Sequence, residues 1–227
     1  MLRILNGLWT TVLDVVYPPK CPACRSAVAH HGDWCPVCWE GLLVPRLLSG
    51  RAHQLRYLTD CYVVCRYQGG LKRVLHDMKF RRARRYAFHL QRLLAAGTEE
   101  VKSLPPFYTP DAVLPVPLHP ERLAGRGYDQ TELIFRPWVD GKNWTWLSDA
   151  LVRDKDTIAQ WRLPLPERRQ NIKDAFTITR PELIAGKHIL LVDDIFTSGL
   201  TMDECAKVLC QAGAVEVRGL ALASGSP

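Results

Sequence analysis

The chain has 227 residues, 47% of them hydrophobic, with 30 Lys and Arg against 23 Asp and Glu and a formal net charge of +7. That balance excludes a disordered chain and gives enough apolar material for one good core plus a small second unit. The positive charge favours an anionic partner without naming it, and no stretch is apolar for long enough to span a membrane.

Residues 1–17 begin the chain with Leu5, Leu8, Trp9, Val12, Leu13 and Val16 on one face of a helix. Asn6, Thr10, Thr11 and Asp14 interrupt the apolar run, and no small-x-small cleavage site follows, so a secretory signal is not expected. The polar face lacks the Lys and Arg of a lipid-surface helix, which leaves a helix docked on the protein. The eight cysteines then belong to a reducing cytoplasm, where paired thiols point to metal more than to disulfides.

Tyr17-Pro18-Pro19 breaks that helix. Two Cys-x-x-Cys knuckles follow, Cys21 with Cys24 and Cys35 with Cys38. Together they can supply four thiolates to one tetrahedral zinc, and a four-cysteine set leaves no position for a catalytic water, so the metal is expected to be structural. A redox pair or two disulfides are the competing readings; neither knuckle heads a convincing βαβ helix, and the compartment disfavours disulfides. His30 and His31 lie between the knuckles as loop residues. Residues 41–60 suggest a mixed linker and short helix.

Cys61 to Tyr67 has the composition of a strand, ended by Gly69-Gly70, with Cys61 and Cys65 as packing residues on one face. Leu71, Val74, Leu75 and Met78 then form a helical stripe. Between Arg66 and Arg92 there are nine Lys and Arg and one acid, Asp77. Lys79, Arg81, Arg82, Arg84 and Arg85, interleaved with Phe80, Tyr86 and Phe88, suit single-stranded nucleic acid, where cations follow phosphates and rings stack on bases. A solvated basic face that draws in an anionic substrate is the plainer alternative.

A helix over Phe88 to Ala96 and a stiff link at Pro105, Pro106 and Pro110 lead to a short buried strand, Asp111 to Pro117. In an α/β sheet the loop after it lies at the carboxyl edge, where ligands bind. Leu118, His119, Arg122 and Arg126 occupy that loop, and the two arginines offer donors for a pyrophosphate. Trp138, Trp144 and Trp146 are expected to cover an edge of the core. Arg153 to Arg169 is long and polar, as a mobile lid would be, with Lys155 and Gln160 among its candidate ligand contacts. Ala175 to Ile178 is expected to return to the sheet as a short strand.

Ile189 to Val192 is an unbroken apolar run, the mark of a strand buried on both faces, and Asp193-Asp194 end it. Thr197, Ser198, Gly199, Leu200 and Thr201 follow, and a helical pattern then runs to Gly213. Thr201 and Glu204 have capping-box spacing. Unpaired N–H groups at a helix start attract a phosphate, while carboxylates accept from vicinal hydroxyls, so the whole suits a ribose 5-phosphate. Glu216 to Ala223 is the last strand.

Asp193-Asp194 with the Thr/Ser/Gly loop resembles the PRPP motif of type I phosphoribosyltransferases. Nearly the whole chain resembles the ComF family, which includes GntX-type DNA-utilisation proteins. The likeness rests on Tyr17-Pro18-Pro19-Lys20-Cys21-x-x-Cys24, on Val116-Pro117-Leu118-His119-Pro120-x-Arg122-x-x-x-Arg126-Gly127-Tyr128-Asp129-Gln130, on Arg153-x-Lys155-x-Thr157-x-x-Gln160 with Arg168, Arg169, Asn171 and Phe176, and on the Asp193-Asp194 stretch. Asp129 departs from the family's common Asn, and Lys155 from its frequent Arg. The resemblance implies an α/β fold: a parallel-sheet phosphoribosyltransferase-type domain over residues 61–227, after an N-terminal helix and a small four-cysteine, zinc-ribbon-like unit over residues 1–60. It also implies PRPP or another ribose phosphate as ligand, Mg²⁺ with that ligand if the chain is catalytic, and a role in DNA uptake or use of external DNA. Pyrophosphate would be the leaving group. A non-catalytic single-stranded-DNA-binding competence protein is the alternative, and the DNA-uptake machinery is the expected partner.

Overall fold

The computed structural model describes residues 17–99, 109–155 and 164–225. The expected N-terminal helix, the proline link at 105–106, Thr157 and Gln160 lie outside them. Lys20 to Ala27 forms the first zinc knuckle, closed by Cys21 N–H donating to the Ser26 carbonyl at 2.8 Å. The second knuckle heads a short helix, α1 (Pro36–Leu42), started by Pro36. Strand β1 (Leu43–Ser49) follows directly and pairs antiparallel with β2 (Asp60–Arg66). The expected linker with a short helix at 41–60 is thus corrected to an edge strand and a loop. Its register slips between Leu43 and Arg46, around Pro45, and a proline is tolerated only at such an edge or bulge.

Helices α2 (Gly69–Phe80) and α3 (Ala87–Glu99) come next, then β3 (Ala112–Pro115), α4 (Pro120–Arg126) and α5 (Gln130–Gly141). Strands β4 (Leu151–Arg153) and β5 (Phe176–Ile178) enclose α6 (Leu165–Ile172). Strand β6 (His188–Phe196), α7 (Leu200–Gln211) and β7 (Glu216–Ser224) complete the described chain.

The main sheet has five strands in the order β1-β2-β7-β6-β3, parallel except for β1. Strands β4 and β5 form a separate antiparallel ribbon, so Phe176–Ile178 pairs with Leu151–Arg153 instead of returning to the sheet. The continuous apolar runs are explained by burial on both faces. One face carries α2, α3 and α5, with Leu71, Leu75, Leu90, Leu94 and Phe135 against Val64, Leu190, Val192 and Leu222. The other carries α7 and the ribbon, with Met202, Cys205 and Leu209 against Cys61, Ile189, Leu191 and Ala221. Cys61 and Cys65 are both buried as packing residues. The three tryptophans are partly buried against the first layer, and Trp138 donates from Nε1 to Thr98 Oγ1 at 3.0 Å.

The zinc unit is built into this core. Cys21, Trp34, Cys35 and Leu42 are buried in the same layer as α2 and α3. Trp34 Nε1 donates to the His89 carbonyl at 2.9 Å, and Asp33 pairs with Arg92 at 2.9 Å. A Cβ on Gly70, at the start of α2, would sit 2.1 Å from Ala23 Cβ, so only glycine lets the knuckle approach. Among the described residues no helix is long and apolar enough to cross a membrane.

Candidate functional site

The parallel strands β2, β3 and β6 all end at one edge of the sheet. Three connections therefore meet there: 67–68 after β2, 116–129 with α4 after β3, and 197–199 after β6. That edge is where open α/β sheets take ligands.

Asp193 and Asp194 are successive residues of β6, and a pleated strand sends successive side chains to opposite faces. Asp194 is buried, and Lys79 Nζ stands 3.0 Å from each of its carboxylate oxygens. Asp193 is half-buried; its Oδ1 accepts from the Asp194 N–H at 2.8 Å. It lies close enough to Cys61 and Cys205, on the α7 side, to push both buried thiols further up. Desolvation, and then the neighbouring Asp194 charge, raise the Asp193 carboxyl well above the ordinary carboxylate range, against the pull of Lys79.

Gly199 turns the chain into α7. It has φ 76°, and a Cβ there would lie 2.6 Å from Leu55 Cδ1 and from Phe196 Cζ. The helix starts at Leu200, two residues earlier than a Thr201 cap requires, and no side chain caps it. The capping-box expectation is therefore corrected: Glu204 instead accepts from Asp174 N–H at 3.0 Å and pairs with Lys207 at 2.8 Å. Thr197 is exposed, Ser198 and Thr201 are half-buried, and Leu200 is buried as a packing residue. Gly213 follows the helix with φ 93°, as a C-terminal glycine should.

Sequence reasoning missed what braces this turn. Asp203, in the first turn of α7, accepts from the N–H groups of Arg56, Tyr57 and Leu58 at 2.9, 2.8 and 3.1 Å. The loop between β1 and β2 is thereby fastened beside Gly199, and His53 meets the Phe196 ring edge-on at 5.3 Å. An acid three residues from both Leu200 and Ala206, in a buried stripe, was the available signal.

Across the edge, Arg126 Nε donates to the Lys79 carbonyl at 3.2 Å, and its Nη1 to Gln130 Oε1 at 2.6 Å. Burial lowers the Arg126 guanidinium, while Asp194 and Asp129 oppose that shift. Arg122 is near enough to add a like charge. Asp129 N-caps α5, accepting from Glu132 N–H at 3.1 Å, a role Asn fills equally well; burial raises its carboxyl. Leu118 and His119 are half-buried, and His119 Nδ1 is enclosed without a hydrogen-bond partner among the described residues. Lys155 turns to the Lys173 carbonyl at 3.3 Å.

The basic stretch divides. Lys79 belongs to this edge, one helical turn after Leu75 on the buried stripe. Arg81, Arg82, Arg84 and Arg85 are exposed beside Phe80 and Phe88, also exposed. Arg82 donates to the Gly125 carbonyl at 2.7 Å, and Arg84 lies over the Tyr128 ring at 5.2 Å.

In the zinc unit the thiol sulfurs of Cys21, Cys24, Cys35 and Cys38 all lie within 4.8 Å of one another. Tetrahedral zinc with its usual bond length needs sulfurs about 3.8 Å apart, so the four fit one ion. The Ser26 hydroxyl lies 3.0 Å from Cys24 Sγ.

Residues 12–47 match the double zinc ribbon domain, and residues 152–226 the phosphoribosyl transferase domain. The DNA utilization protein YhgH of Escherichia coli O157:H7 is 31% identical over 87% of each chain. Competence protein F of Haemophilus influenzae is 28% identical over 90% of this chain and 84% of its own. A solved glutamine PRPP amidotransferase from B. subtilis aligns at 19% identity and a TM-score of 0.36, over 61% of this chain and 25% of that one, too slight a likeness to carry weight. The chain therefore belongs to the YhgH and competence protein F family of DNA-utilisation proteins, with a zinc-ribbon unit ahead of a phosphoribosyltransferase domain.

Proposed function

We propose that the chain binds PRPP, or another ribose 5-phosphate, at the carboxyl edge of its sheet, and that it serves DNA uptake or the use of external DNA in the cytoplasm. The observation that carries this is the convergence of Asp193, Asp194, the Gly199 turn and Arg126 at one edge, from segments far apart in sequence. The 5-phosphate would take the N–H groups at 198–201, with the hydroxyls of Thr197, Ser198 and Thr201. Arg122 and Arg126 would hold the pyrophosphate and stabilise the charge that grows on it as the C1 bond breaks. Residues 153–169, with Lys155 and Gln160, would exclude water. Asp193 and Asp194 would accept from the ribose hydroxyls, and a Mg²⁺ bound with the ligand, keeping several waters, would neutralise pyrophosphate. We place residues 1–60 as the zinc-bearing unit and 61–227 as the phosphoribosyltransferase-like unit, with zinc in a structural role.

PRPP with Mg²⁺ should give measurable heat in calorimetry, and Asp193→Asn with Asp194→Asn should abolish it. No heat at millimolar PRPP would end this reading.

A second reading has its own observation: four exposed arginines between two exposed phenylalanines on one edge of the molecule. They suit single-stranded DNA, bound without turnover. Affinity for an oligonucleotide should fall steeply with salt and weaken when Arg81, Arg82, Arg84 and Arg85 become Ala. An unchanged affinity removes this surface from consideration.

A further inference from the structure

The ammonium on Asp194 deepens the ribose-phosphate reading and rests on it. Lys79 approaches both carboxylate oxygens at 3.0 Å; its side chain is 24% exposed, that of Asp194 only 4%. The lysine is thus the outer member of the pair, and it supplies to Asp194 the donors that a sugar diol would bring. Its carbonyl accepts from Arg126, whose guanidinium also feels the Asp194 charge, so two cations from separate segments act on this carboxylate. Tyr67, just after β2, senses both Lys79 and Asp194, which puts the pair at the mouth of the edge.

Such a pair resists simple dissociation. Removing either charge from its partner in a desolvated place leaves the other uncompensated, and that costs more than the pair itself is worth. A ligand can open it cheaply only by offering an anion to the lysine and hydroxyls to the aspartate together. We propose that Lys79 is a ligand-binding residue that exchanges partners. It is paired with Asp194 in the free protein and moves to an anionic group on C1 of an incoming ribose 5-phosphate, which frees Asp194 for the sugar hydroxyls. Lys79 thereby selects sugars charged at C1, such as PRPP, over ribose 5-phosphate, whose C1 carries a neutral hydroxyl.

The test is calorimetry of PRPP and of ribose 5-phosphate against the full, zinc-loaded chain and its Lys79→Met and Lys79→Gln variants. Both substitutions should weaken PRPP by about tenfold or more and leave ribose 5-phosphate unchanged or tighter. A loss shared equally by the two sugars, or no loss for PRPP, overturns the exchange while leaving the ribose-phosphate site standing. Failure of the unaltered chain to bind PRPP removes that site and the exchange with it. Gln keeps a hydrogen bond to Asp194 and serves if Met does not fold; zinc content and thermal midpoint report the fold of each.

Discussion

The zinc unit and the sheet-edge site are built on opposite plans. The zinc ligands fall within 18 residues, Cys21 to Cys38, and geometry follows almost directly from spacing. The sheet-edge site draws on Lys79, Arg126 and Asp194, the first and the last 115 positions apart, and only the fold brings them together. A local site depends on its metal. A dispersed one depends on every element that positions it, so the two should fail differently.

Four experiments press on that contrast. The largest effect should come from Cys21→Ser or a strong chelator. Metal-linked folding energy in small zinc units is on the order of 10 kcal/mol, enough to unfold residues 18–42 and bare the α2 and α3 surfaces they cover. Proteolysis should then cut first within that span; early cutting in α7 instead would show that the zinc unit is not the local element described. Asp203→Ala leaves three N–H groups without their acceptor and should cost about 2–4 kcal/mol in denaturant melts, while zinc stoichiometry stays at one. Gly199→Ala forces a Cβ into Leu55 and Phe196 at positive φ, for about 2–3 kcal/mol. A neutral result would mean the turn is not braced by the loop between β1 and β2.

The smallest effect is a pH dependence where the zinc unit meets α3. Burial depresses the His89 imidazole below its ordinary value, so the folded chain binds fewer protons there than the unfolded one. Stability should be whole above about pH 6.5 and decline as the pH falls through that ordinary value toward the depressed one. His89→Gln should flatten this part of the profile; an unaltered profile assigns the acid loss to other groups.

What the sequence made legible follows the same division. The clustering of the four cysteines, the doubly buried strand at Ile189–Val192 and the glycine turn after it are all short-range patterns, and they stand as read. Strand β1 was hidden because Pro45 and the register slip beside it break the period of two. Lys79 was assigned to the basic surface because charge is counted along the chain, whereas its partner Asp194 is supplied by another strand. Only its place one turn after Leu75 hinted that it points inward. Asp129 illustrates the reverse: a departure from the family's Asn in the sequence, it caps α5 in the fold, as Asn would.

Helix α2 has a consequence at each tip. Its first residues rest on the metal knuckle through Gly70, and its last turn presents Lys79 to Asp194. Twelve residues make a rod about 18 Å long. A chain stripped of zinc would lose the knuckle from the rod's first turn and leave the lysine's aim to the buried stripe of Leu71, Val74, Leu75 and Met78 alone.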